Sequence, residues 1–123
     1  MDYSILVEGL IQSFSTQVEL YKKLIVVVQK VLGQIAISRG NFSSVMGLFE
    51  EKQKLLENIE KERDRSKKSV EIWQKEKDRI PDSEQTARLD TILAEAEKAI
   101  KDFLEIEDQL KKYLEQNMNN RTE

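Results

Sequence analysis

The side chains that could do chemistry in this chain are carboxylates, ammoniums, guanidiniums and hydroxyls. Asp and Glu contribute 23 residues and Lys and Arg 20, while His and Cys are absent. Without an imidazole or a thiol there is no Ser-His or Cys-His nucleophile pair, no thiolate or imidazole zinc site, no disulfide and no redox motif. Carboxylates gather metal in the di-iron sites of helical bundles, but those sites take Glu-x-x-His pairs. A Gly-rich phosphate loop is missing too, because Gly9, Gly33 and Gly47 stand singly. The expectation is a protein that is no enzyme and holds no cofactor and no metal. What remains is recognition.

The densest run of cations, Lys61, Arg63, Arg65, Lys67 and Lys68, is interleaved with Glu60, Glu62 and Asp64 and carries no aromatic ring for base stacking. Residues 1–40, 41–80 and 81–123 carry +1, +1 and −5, so no segment offers the basic stripe of a nucleic-acid binder. A charged, solvated helix face is the expected role of this run, and no nucleic-acid partner is expected. The most apolar run, Leu24-Ile25-Val26-Val27-Val28, is bounded by Lys22-Lys23 and Lys30. It falls far short of the roughly 20 apolar residues that cross a bilayer, so no membrane insertion is expected. Met1-Asp2-Tyr3-Ser4 places an acid where a secretory leader carries Lys or Arg. A cytoplasmic protein is expected.

Long elements must position whatever recognises a partner, since the chain has only four Gly and one Pro. The spacing predicts one all-α domain over residues 1–123, with three long antiparallel helices at about 4–38, 42–78 and 84–117 and a frayed tail at 118–123. Gly40 suits a left-handed helix stop and Asn41 a cap for the next helix. Ile80-Pro81 halts the second segment, and Asp82 with Gln85 offers a cap for the third. Apolar residues recur at alternating steps of three and four in each segment. Val7, Ile11, Phe14, Val18 and Tyr21 open the first series; Leu89, Ile92, Ala96, Ala99 and Phe103 open the third. This is the seam of a coiled-coil-like bundle. The second series, Val45, Phe49, Lys52, Leu56, Ile59, Arg63, Ser66, Val70 and Trp73, is interrupted by polar residues, and Trp73 is expected to anchor the core near Pro81. The three isolated glycines are expected to mark close backbone approaches or kinks.

Two helices have more apolar surface than one seam needs. Leu20, Leu24, Val27 and Val31 flank the main stripe of the first helix, and Leu93, Ile100, Leu104 and Leu114 flank that of the third. In a three-helix bundle each helix has two neighbours, which would use these faces internally. Alternatively, part of this surface awaits a partner, because the ten residues Glu60–Ser69 contain no apolar side chain to cover it. Leu93, Ile100, Leu104, Leu114, Leu24, Val27 and Val31 are therefore the candidate partner-binding residues. The partner is either an amphipathic segment of a client protein or a second copy in a homodimeric coiled-coil adaptor.

The stretch from Ser38 to Ile59, with Glu51-Lys52 followed by Leu55-Leu56, resembles the FlgN/FliT type of flagellar type III export chaperone. Such proteins show a long first helix, a small-polar-apolar turn and a helix bearing a Glu-Lys pair and paired leucines. The close match covers some twenty residues, and the three-part helical layout agrees. The resemblance implies a cytoplasmic chaperone that binds the terminal helical segment of a hook-associated junction protein or the filament-cap protein. It would prevent premature assembly and deliver the client to the export apparatus without hydrolysing ATP. It also implies client contact on the C-terminal helical region, which points again to Leu93, Ile100, Leu104 and Leu114. Lys52, on the seam between Phe49 and Leu56, must either snorkel to solvent or meet a carboxylate. Val28, at its level in the first helix, offers none; the third helix could supply Glu107 or Glu115.

Overall fold

The computed structural model describes residues 3–38 and 42–121, with side chains over 3–37 and 43–116. Three long helices account for nearly all of it: α1 spans Ser4–Ser38, α2 Met46–Glu76 and α3 Glu84–Arg121. At 1.5 Å per residue they are about 52, 46 and 57 Å long. A 3-10 turn over Phe42–Val45 leads into α2, another over Lys77–Arg79 follows it, and there is no strand among the described residues. The fold is an all-α helical bundle.

The chain runs up, down and up. The Tyr3 hydroxyl donates to Glu76 Oε2 at 3.3 Å, which brings the start of α1 to the end of α2. The Gln85 amide donates to the Ser4 carbonyl at 3.0 Å and to Glu8 at 3.3 Å, so α3 starts beside the start of α1 and runs parallel to it. Both α2 and α3 pack on α1, and no Cα of α2 comes within 8 Å of one in α3 among the described residues. α1 is thus the central helix. It suits that place because only five of its 35 residues, Glu8, Glu19, Lys22, Lys23 and Lys30, are charged.

Pro81 works as the spacing requires. Ile80 is extended at φ −87°, ψ 122°, and its N–H closes the preceding turn on the Lys77 carbonyl at 3.3 Å. The cap of α3 differs from expectation. Ser83, rather than Asp82, holds it: the Thr86 N–H donates to Ser83 Oγ at 3.1 Å and the Ser83 N–H to Thr86 Oγ1 at 2.8 Å. The reciprocal pair needs a spacing of three, which Ser83–Thr86 provides while freeing Gln85 to cross to α1. α3 also continues beyond 117 to Arg121, through residues expected to fray. Asn lowers helix propensity only slightly, and no Gly or Pro intervenes there. Gly40 and Asn41 lie outside the described residues.

The core forms two apolar clusters separated by a polar waist. The larger surrounds Leu24, Val28, Val31 and Ile35 of α1, all buried, with Ile59 of α2 and Phe103 and Leu110 of α3. Tyr21 and Phe103 meet there with ring centroids 5.9 Å apart at 49°. The smaller joins Val7, Leu10 and Leu89, with Trp73 half-buried against them near the Pro81 end. Between them Ser13 and Gln17 of α1 and Ser66 of α2 are buried, and Gln17 Nε2 donates to Ser13 Oγ at 3.4 Å. Ala96 and Ala99 are the buried residues of α3 at this level. The polar run Glu60–Ser69 is therefore accommodated by small polar residues that face it, and Ser66 Oγ is satisfied by the Arg63 carbonyl at 3.2 Å.

A candidate partner-binding cleft between α2 and α3

Because α2 and α3 both lean on α1 without touching along their backbones, a cleft of about 420 Å³ opens between them. Phe49 and Lys52 of α2 form one wall; Leu104, Glu107, Leu110 and Leu114 of α3 form the other, with Asp108 and Lys111 at the rim. Leu110 is buried, Leu114 and Phe49 are half-buried, and Leu104 is 58% exposed. Phe103, one residue earlier, is 8% exposed and faces Tyr21. The 100° step of a helix puts the two side chains on different faces.

An ion pair closes the inner end of the cleft. Lys52 Nζ meets Glu107 Oε1, with side chains only 16% and 31% exposed. The partner of Lys52 is therefore Glu107, not Glu115, and the ammonium does not snorkel. Glu107 Oε2 is buried and has no hydrogen-bond partner among the described residues. A charged pair here keeps α2 and α3 at a fixed separation and register across a gap that no backbone contact spans.

The structure sorts the sequence candidates sharply. Leu104 and Leu114 line the cleft. Ile100 is half-buried against the larger cluster, and Leu93 is half-buried against the smaller one, about three turns away. Leu24, Val27 and Val31 are 0%, 2% and 0% exposed, which corrects the expectation that they face a partner. Their seam is spent internally because the central helix has two neighbours. Of the motif residues, Lys52 holds the bridge, Leu55 and Leu56 pack half-buried on the core, and Glu51 is exposed. Phe49 and Leu110 were legible only as seam residues; their place in a cleft follows from the separation of α2 and α3. The glycine expectation is also corrected: nothing lies within 4 Å of where a Cβ would stand at Gly9, Gly33 or Gly47.

Among the described residues no group of three or more carboxylates could hold a metal ion, and no helix is long and apolar enough to cross a membrane. Compared with known proteins, the chain matches no family model, no curated protein and no solved structure.

Proposed function

We propose that this protein is a cytoplasmic export chaperone of the flagellar FlgN/FliT type, which holds the terminal helical segment of a hook-associated or filament-cap protein in the α2/α3 cleft. One observation carries the reading: a large apolar side chain, Leu104, stands 58% exposed at the mouth of a cleft whose other walls are Phe49, Leu110 and Leu114. An amphipathic client helix laying its apolar face there would cover Leu104 and exclude water from the half-buried Lys52–Glu107 pair. The Glu51-Lys52 and Leu55-Leu56 resemblance supports the same reading, since Lys52 belongs to the cleft itself.

Such a client segment, disordered when free, is ordered on binding. That ordering cost keeps affinity moderate and makes handover to the export apparatus feasible. The cleft recognises and releases; it performs no bond chemistry. Light scattering on mixtures with purified hook-associated and filament-cap proteins tests this. A one-to-one complex lost in Leu104→Asp is the expected result. A dimer unchanged by every such client would mean that the chain is a homodimeric coiled-coil adaptor and would overturn the proposal.

A further inference from the structure

The outward face of α1 carries a second feature, which shares no residue with the α2/α3 cleft. Val26 and Ile37 are 47% and 79% exposed, in a helix whose other large apolar residues, Ile5 apart, are mostly covered. Positions 26, 30, 33 and 37 follow the four-three-four spacing of one helix face. Gly33 lies between the two apolar residues, with open space where a side chain would stand. The stripe is thus two apolar anchors, about 16 Å apart at 1.5 Å per residue, joined by bare backbone. Beside Val26 a cleft of about 300 Å³ opens onto Val27 and Leu55.

The charges around this stripe are one-sided. Lys22, Lys23 and Lys30 are all the cations that α1 carries, and all three border the Val26 cleft. Glu19 and Glu51 lie at its edges, yet none of the three lysines forms an ion pair among the described residues. This happens on a chain whose net charge is −3. Unpaired ammoniums around an exposed apolar centre match a partner with the opposite arrangement.

We propose that the Val26–Gly33–Ile37 face of α1 is a second docking surface, whose occupant is an acidic amphipathic helix of another protein. One of its apolar side chains enters the cleft beside Val26. A second, about three turns along, packs on Ile37, and its flanking carboxylates meet Lys22, Lys23 and Lys30. Gly33 lets the two backbones approach between the anchors. Because α2 presents Phe49 and Lys52 to one cleft and Glu51 and Leu55 to the other, both are open at once. The protein can then hold two helices simultaneously.

The probe is a fluorescein-labelled, Ala-based helical peptide of roughly twenty residues, with two Leu eleven positions apart and Glu flanking each. A twin peptide has Lys for every Glu. Anisotropy titration of the full chain is expected to show binding of the acidic peptide, weakened by salt, and none of the twin. Combined Lys22→Glu, Lys23→Glu and Lys30→Glu should weaken binding by about tenfold or more, with an unchanged thermal melt. Val26→Ser, which reverses no charge, should also weaken it. Leu104→Asp should leave it unchanged, so a failure here is separate from a failure of the α2/α3 cleft. Equal binding of the twin, or undiminished binding by the charge-reversed and Val26→Ser variants, would overturn the proposal. So would capture by phosphatidylserine vesicles without peptide binding, or self-association that the charge reversals abolish.

Discussion

Replacing Lys52 by Leu removes the ammonium that faces Glu107 while keeping an apolar stem of similar reach. In the parent that ammonium is 16% exposed and its carboxylate partner 31%. One Glu107 oxygen is already buried without a donor, so the substitution leaves the whole carboxylate unpaired. A hydrogen bond to a charged group contributes about 1.5–3 kcal/mol. Breaking a fully buried pair costs about 3–5 kcal/mol, and the partial exposure of both groups lowers that figure. The Leu side chain recovers little, because the lysine stem is already packed. The expected loss is about 2 kcal/mol, or roughly 8 °C in melting temperature for a chain of this size. Urea unfolding of Lys52→Leu, Glu107→Gln and the double variant should give a coupling of about 1 kcal/mol at constant m-value. Lys52→Leu with Glu107→Leu should return to within about 1 kcal/mol of the parent, since an apolar pair carries no desolvation penalty. A single Lys52→Leu as stable as the parent, with no coupling to Glu107, would refute the bridge and restore a snorkelling lysine.

Leu104→Asp should fold with nearly parental helicity and lose its client, whereas Phe103→Asp should unfold by burying a carboxylate beside Tyr21; thermal melts and co-purification with hook-associated or cap proteins separate the two. Leu24→Ala should cost about 3 kcal/mol in urea unfolding, because Leu24 is fully buried in the larger cluster. Gly9→Ala should stabilise the chain by about 0.5–1 kcal/mol, since the position is helical and open; a lower melting temperature would mean that something packs there. Ser83→Ala should cost about 1 kcal/mol and increase amide exchange in the first turn of α3.

The sequence by itself determined the helices. Their seams repeat at three and four residues, Pro81 forces Ile80 out of helical geometry, and no period of two competes; each is a local property of a few neighbouring residues. The division between Phe103 inside and Leu104 outside was legible for the same reason, because adjacent residues on a helix differ by 100° wherever the helix lies. The two ends of Lys52's problem were also readable: a seam ammonium needs an acid, and only α3 had one at that level. The choice of Glu107 over Glu115 waited on the register around Pro81, which a 3-10 turn and the Ser83–Thr86 cap set together. Tertiary structure alone decided which helix is central. Leu24, Val27 and Val31 look in the sequence like Leu93, Ile100 and Leu104, a surplus stripe beside a seam. α1 has a neighbour on each side and buries its stripe, while α3 touches only α1 along its backbone and leaves Leu104 in the open. Periodicity measures how much apolar face a helix has; only the packing of three helices, a contact between residues some eighty positions apart, says how much of that face is covered.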